Sequence, residues 1–503
     1  MNNRKIFLLL LLWAMALLML ISIDSPLHES YNRVDSSWFY MCGKAWMNGL
    51  KPYVDFADSK GPLLWLIYGI GYLLAPHSYQ GIYWISCLLY AVIFYYDYKM
   101  ARLFFTDLRR PLMVTLLMTF AYFSIWFHYE VRAEDFSTLF VTISLYELFQ
   151  LLYGKDTGSQ GGKETGKEVR RVSLILGGCF MALVLIKYSI ALMQGSIILV
   201  ALYFYARQQK TLLHPLKWMA AGAGVVALPF VVYFLVTGTW SAFIQEYIVN
   251  TFKTVQPGGE DATMLSSYLG ELMESIRTPS TSALLMVIVY GAWLMSQQLP
   301  RYRFAPMFVG VCFFLLATMH NFLYYYCICA PFVIYIFIYT ISLLRKPIGY
   351  RSFAVVVLAI AAWSIYDNVK KDLPLARVAI WADNDDKQFF NTVSDIIATV
   401  PHQPRIFNLL SFELGFGIEQ KALPVGKYWG KQNGMTVEMQ QEHVGLLFSK
   451  QADIVIVYDE EVCDEKGFTR SNISSLGYKL CYTHTHQSMW RKQVTTSVYK
   501  KMN

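Results

Sequence analysis

Apolar residues in this chain gather in long blocks instead of alternating with polar ones. The blocks are 6–23, 81–98, 111–127, 136–153, 172–186, 188–205, 218–237, 282–296, 304–319, 322–344 and 352–366. Most hold about 15–20 residues, the length that lets a helix cross a hydrocarbon core of ~30 Å. Lipid offers the backbone no hydrogen-bond partner, so blocks of this kind predict helices and not open strands. The pattern therefore predicts about 11 membrane spans. A further block, 62–75, would reach only about 21 Å as a helix. That is short for a crossing and predicts a re-entrant or juxtamembrane helix on the outer face. The first block follows Arg4 and Lys5 and has no small-residue cleavage site near Asp24. It reads as an uncleaved anchor with the N-terminus inside.

Beyond Asp367 the pattern changes. Positions 386–400 follow an amphipathic helical period, 405–409 a strand, 436–450 a helix and 453–458 a buried strand. Segments 477–484 and 494–500 read as closing strands. Alternating helix and strand signals predict a small α/β domain. The predicted fold is thus a polytopic α-helical membrane protein with a C-terminal soluble domain. Its membrane part covers 1–367, with long outer loops at 24–61 and 238–281, and its tail covers 368–503.

Composition agrees with the blocks. Charged residues are 16% of the chain, against about 25% in soluble globular proteins. A formal net charge of +8 raises nucleic acid as a partner. The basic residues sit instead in short loops between blocks, which points to membrane topology. On the 11-span pattern the cytoplasmic loops hold Lys99, Arg102, Arg109, Arg110, Lys155, Lys163, Lys167, Arg170, Arg171, Arg207, Lys210, Lys217, Arg301, Arg303, Arg345, Lys346 and Arg351. Fewer lie outside, and counting 62–75 as a crossing would invert the asymmetry, against the positive-inside rule. The odd number of spans puts the tail outside.

The 155–171 loop reads as a Gly/Lys/Glu linker. Its Gly161 and Gly166-Lys167 fall short of a phosphate-binding loop, because Glu168 stands where Ser or Thr is needed and no strand precedes it. Cys463 and Cys481 would meet an oxidising compartment in the tail of a bacterial protein, which leaves a disulfide open. The other cysteines read as packing residues, and no pair has metal-ligand spacing.

Ionisable residues gather at the outer ends of the spans, where low dielectric makes them costly. The first outer loop contains Asp35-Ser-Ser-Trp-Phe, then Tyr53-Val-Asp55-Phe-Ala-Asp58-Ser-Lys60-Gly-Pro62. A second outer turn reads His128-Tyr-Glu130-Val-Arg132-Ala-Glu134-Asp135, and Lys187 interrupts two blocks at a third. Ordinary solvated loops would explain any one of these residues. The crowding of acids and bases in short turns favours chemistry for the set.

Taken together, the acidic residue in the first loop, the Tyr-x-Asp stretch and the Lys-Gly-Pro-Leu approach to a short helix resemble the GT-C superfamily of membrane glycosyltransferases. The resemblance is nearest to its protein O-mannosyltransferase and lipid A aminoarabinose transferase branch. An acidic turn after the third span, a Lys after the fifth, and Tyr324-Tyr-Tyr-Cys-Ile-Cys-Ala-Pro331 extend it. The resemblance implies that Asp35 is the catalytic acid-base residue and that Lys60 faces the lipid phosphate. It implies a second acidic site at Glu134 or Asp135, with Asp55 and Asp58 the other acidic candidates. The branch often has Glu directly after the first Asp or just before the Lys. Ser36 and Ser59 stand there instead, which leaves a divalent metal an open question.

Physical chemistry suits such a reaction. Nucleotide sugars are absent outside the cytoplasmic membrane, so the donor would be a sugar on polyprenyl phosphate. The acceptor is a glycan, lipid or protein hydroxyl, a weak nucleophile that needs a base such as Asp35. The departing phosphate needs a cation, with Lys60 first and Arg132 and Lys187 as helpers. Trp38, Tyr40, Tyr53, Tyr428 and Trp429 read as interface anchors that could also stack on sugar or lipid. The alternatives are a transporter or lipid flippase, an oligosaccharide polymerase or ligase, and a non-catalytic scaffold. A transporter would want ionisable groups near the midplane and repeated halves. Asp97 and Glu147 instead lie near cytoplasmic ends, and no repeat is visible.

Overall fold

The computed structural model describes residues 2–22, 24–27, 35–124, 130–153, 166–209, 212–250, 323–343, 349, 351–352, 354–359, 362, 384–418, 420–432, 435–487 and 493–502. The expected spans 282–296 and 304–319, and part of 352–366, lie outside the described residues. So does most of the second long outer loop. The chain divides into two compact units.

The first unit is built from Met1–Ile21, Ser86–Phe230 and described residues between 257 and 373. Its helices are α1 (Asn3–Ile21), most of α4 (Gln80–Arg102), α5 (Arg109–Ser124), α6 (Ala133–Tyr153), α7 (Gly166–Gln209) and most of α8 (Leu213–Val236). Four described helices are long and apolar enough to cross a membrane: Asn3–Ile21, Ala133–Tyr153, Gly166–Ala206 and Leu213–Val236. The α7 segment carries both blocks expected on either side of Lys187, whose backbone leaves the helical region at φ −159 and ψ 101. A break there turns one long apolar run into two consecutive stretches. The helix begins at Gly166, so 166–171 is not linker as expected. Glu168 falls in its first turn, where an acid complements the helix dipole, and no Pro or Gly lies between Lys167 and Arg171 to interrupt the helix before the apolar block.

The second unit takes its residues from three distant stretches, Ser22–Ile85, Val231–Gln256 and Pro374–Asn503. Helix α2 (Asp35–Met47) lies against α3 (Pro62–Leu74), the short helix expected at 62–75. Gly43 permits this closeness, because a Cβ there would meet the backbone of Trp65 at 2.9 Å and Tyr68 at 2.7 Å. Pro62 suits the start of α3, where its missing N–H costs nothing. The middle stretch adds α9 (Trp240–Phe243) and a π-helical turn, Ile244–Asn250.

The tail forms the expected α/β arrangement. A five-stranded sheet runs in the order β2-β1-β3-β5-β4. Its strands are β1 (Arg405–Leu409), β2 (Leu423–Pro424), β3 (Ile454–Val457), β4 (Tyr478–Gln487) and β5 (Gln493–Lys501). The β1 strand is parallel to β2 and β3, whereas β5 is antiparallel to β3 and β4. Side chains alternate between faces along each strand. Ile406, Ile454, Ile456 and Val498 pack with Phe389, Phe390, Val393 and Ile397 of a helix spanning Asn384–Ala398. Phe407, Leu409, Val455, Val457 and Tyr499 form the opposite core, with Leu447, Cys463 and Ile473 from the helices of that side. Burial on both faces explains why β3 reads as an unbroken Ile-Val-Ile-Val run. Cys463 and Cys481 are not joined. The first is buried in this core and the second is exposed, so no disulfide links them.

Candidate active site

In the second unit, Asp35 is the first residue of α2 and is half-buried. The loop after α2 is a closed structure tied by its own groups. Asp55 accepts from the Lys51 backbone N–H at 2.6 Å, and its N–H returns to the Lys51 carbonyl at 2.9 Å. Asp55 is thereby engaged in closing a turn. Asp58 accepts from the Ser59 N–H at 2.5 Å and stands 3.8 Å from the Lys60 ammonium. Lys60 also donates to the Ser59 hydroxyl at 3.1 Å and lies 5.8 Å from the centre of the Phe39 ring. Its side chain keeps 21% exposure, so the charge is sheltered yet within reach of a ligand.

The tail supports this loop within the same unit. The Ala57 N–H donates to the Lys427 carbonyl at 3.2 Å, and the Gln432 amide donates to the Ala57 carbonyl at 2.6 Å. Trp429 stacks on Trp38 of α2, with ring centres 4.3 Å apart. Lys427 pairs with Glu246 at 3.0 Å, and the Tyr428 hydroxyl donates to the other oxygen of Glu246 at 2.7 Å. Burial and the adjacent Glu246 carboxylate push the Tyr428 hydroxyl above its ordinary pKa, so it remains a donor. His443 fixes the same segment: its Nδ1 bonds the Tyr428 carbonyl at 2.6 Å, while its Nε2 accepts from the Leu410 N–H at 3.0 Å. That pair of bonds requires the neutral ring, in keeping with a pKa lowered by burial.

The five aromatic residues expected as interface anchors or sugar platforms do neither here. Trp38, Tyr40, Tyr53, Tyr428 and Trp429 are all buried. Their faces are used in packing: Tyr53, for example, lies 4.7 Å from Trp65 and 5.4 Å from Phe243, centre to centre. Large rings fill the space where three distant stretches of chain meet.

In the first unit, the acidic turn and the break in α7 come together. The Lys187 ammonium bonds Glu134 at 2.6 Å, across 53 positions of sequence. Arg132 is held by Glu130, with its Nε 2.8 Å from the carboxylate. Asp135 uses both oxygens, one on the Tyr90 hydroxyl at 2.5 Å and the other on the Arg132 backbone N–H at 2.9 Å. Asp135 thus fastens the start of α6 to α4, while Glu134 is the acid that meets a cation. His128 and Tyr129 lie outside the described residues, as do the side chains of Tyr324, Tyr325 and Tyr326. Among the described residues no three His, Cys, Asp or Glu side chains converge as a metal ion would need, so no ligand set is assigned.

Sequence reasoning missed Lys44, Glu413, Glu246 and Tyr90. Lys44 is buried in α2 and donates to the carbonyls of Gly417, at 2.8 Å, and Gln420. Glu413 is equally buried and accepts from Asn408 at 2.6 Å and from the Gly415 N–H at 2.8 Å. A lysine amid Cys42-Gly43 and Ala45-Trp46 is a weak signal of burial. For Glu246 and Tyr90, partners tens to hundreds of positions away leave no local trace.

No family model matches the sequence, and no curated protein does. Solved structures do resemble the fold. ArnT from Cupriavidus metallidurans bound to undecaprenyl phosphate is similar with a TM-score of 0.58 at 11% identity, over 98% of this chain and 97% of that one. Its apo state gives a TM-score of 0.59 at 10% identity, over 99% and 98%. The archaeal oligosaccharyltransferase AglB from Archaeoglobus fulgidus is more distant, at a TM-score of 0.45 and 12% identity, over 98% of this chain and 74% of that one. The chain therefore has an ArnT-like fold from end to end.

Proposed function

We propose that this chain is an inverting glycosyltransferase. It moves a sugar from a polyprenyl-phosphate donor to a glycan, lipid or protein acceptor on the outer face of the cytoplasmic membrane. The observation that carries the reading is the full-length likeness to ArnT, a protein solved with undecaprenyl phosphate bound. Sheltered charges beside apolar helices add to it. A lipid phosphate brings two unlike parts, a chain that belongs among apolar helices and an anion that needs a cation at their outer ends.

In this reading the acceptor O–H attacks the anomeric carbon and Asp35 takes its proton. The bond from that carbon to the phosphate oxygen breaks, and the phosphate leaves with the electron pair. Lys60 offsets the developing charge. A single displacement inverts the anomeric centre. Lys187 and Arg132 pair with Glu134 and Glu130, and Lys60 stands 3.8 Å from Asp58. Lys60 is the first choice of the three because it shares a unit with Asp35. Membrane domain 1–367 and outer tail 368–503 complete the proposal.

Transfer from a polyprenyl-phosphate sugar, measured on the purified chain in detergent, tests both roles. Asp35→Asn should lose about 10²-fold or more if the carboxylate accepts the proton. Asn also caps a helix well, so near-wild-type transfer would reduce Asp35 to the start of α2 and pass the role to Glu134. Lys60→Ala should lose activity and Lys60→Arg should keep part of it, because the charge remains on a larger, forked group.

A further inference from the structure

Tyr53 has a backbone that few residues of its kind adopt. Its φ is +66°, in the left-handed region, although it carries a large side chain. Bulky residues in that region are strained, and such strain persists only where the surroundings over-determine it. Here they do. The ring is buried to 1% exposure among Trp65, Phe234, Phe243 and Tyr247. The backbone N–H donates to the Phe56 carbonyl at 2.7 Å, closing the loop over itself. One polar atom remains at the far end of the ring, and it is also used: the hydroxyl donates to the Lys60 carbonyl at 3.0 Å.

That last bond has a particular geometric meaning. The Lys60 peptide is followed by Gly61, in extended conformation at φ −86 and ψ 161, and then by Pro62 at the start of α3. Pro62 fixes the helix side of this junction and the Tyr53 hydroxyl fixes the loop side. Between them the Lys60 backbone has little freedom left. Its ammonium is then aimed by Ser59 and by the Phe39 face.

We propose that Tyr53 is a positioning residue for the Lys60 ammonium: its caged ring and its hydroxyl hold the Lys60 peptide so that the charge is presented to a lipid phosphate. The inference rests on the reading of Lys60 as the donor phosphate contact. Tyr53 itself touches no reacting atom. Its strained backbone is what lets the ring enter the aromatic cage while the hydroxyl still reaches Lys60, seven positions on.

The test uses the full chain in detergent with undecaprenyl phosphate as the probe. Affinity is measured for the wild type, Tyr53→Phe, Lys60→Ala and the double variant. Tyr53→Phe keeps the ring and deletes the hydroxyl alone. It should weaken binding about 3- to 10-fold, the size of one net hydrogen bond. The double variant should bind no worse than Lys60→Ala, because the hydroxyl then has no charge to aim. Trp65→Phe alters the same cage without touching the hydroxyl and should stay within about twofold of the wild type. Additive losses in the double variant, wild-type affinity in Tyr53→Phe, or an equal loss in Trp65→Phe would each overturn the positioning role while leaving Lys60 in place. Wild-type affinity in Lys60→Ala would instead overturn the reading of Lys60 itself.

Discussion

Lys44 and Glu413 are buried charges within one unit, and their burial sets a measurable pH dependence. Glu413 is pushed from 4.5 up to about 7, chiefly by desolvation, against the pull of its hydrogen bonds from Asn408 and Gly415. Lys44 is pushed from 10.5 down to about 7 by desolvation, with Glu413 pulling the other way. The folded protein therefore binds more protons at Glu413 than the unfolded chain does between about 4.5 and 7, so stability from this group falls as pH rises through that window. At Lys44 the folded protein binds fewer protons between about 7 and 10.5, so stability from this group rises with pH there. Unfolding midpoints in detergent check both signs. The advantage of the wild type over Glu413→Gln should shrink from pH 5 to 7, and its advantage over Lys44→Met should grow from pH 7 to 10. A flat difference in either series would remove that group from the linkage. At this scale the sequence was legible only in part. Lys187 stood out because it interrupts an apolar run, and its place at a backbone break follows from that position. Lys44 gives only a weak signal, since its acceptors are carbonyls more than 370 positions away.

Elements were easier to read than residues, because a helix or strand repeats its signal over many positions. The tail strand at 405–409 and the helix near 436–450 follow directly from period and caps. Thr436 opens that helix, Val437–Phe448, by accepting from the Met439 N–H. A two-residue strand such as Leu423–Pro424 has no period to detect and is held only by its pairing with β1. What apolar blocks do not reveal is how closely the helices approach. Within the first unit, α7 and α8 meet backbone to backbone at Gly222, where a Cβ would collide with the Leu174 carbonyl and lie 3.0 Å from the Gly178 nitrogen. Small residues serve this purpose in membranes, where packing and not water exclusion drives helix association. Gly222→Val should therefore force the two helices apart. We expect the purified variant to unfold at a midpoint lower by several degrees and to expose α8 to proteolysis, whereas Gly224→Ala, where a Cβ meets nothing within 4 Å, should match the wild type. Equal behaviour of the two variants would contradict the close approach.

For the molecule as a whole, contacts constrain topology in a way that hydropathy alone does not. The first loop, the stretch around Glu246 and the tail make direct bonds in one unit: Lys44 to Gly417, Ala57 to Lys427 and Gln432, and Glu246 to Lys427 and Tyr428. Segments that touch through polar groups lie on the same side of a membrane. The number of crossings between the first loop and the tail must then be even, as must the number between the first loop and Glu246. We propose the pattern of 11 spans that leaves 62–75 uncrossed, which keeps both numbers even, whereas counting that helix as a crossing while keeping the others makes both odd. We propose that these segments lie outside, because the excess of Lys and Arg in the other loops belongs inside. The tail offers a natural reporter, because Cys481 is exposed whereas the other described cysteines are buried. A membrane-impermeant maleimide applied to intact spheroplasts should label the wild type, and Cys481→Ser should lose that label. Labelling of Cys481 only after lysis would put the tail inside, carry the loop bearing Asp35 and Lys60 with it, and remove the outer-face reaction.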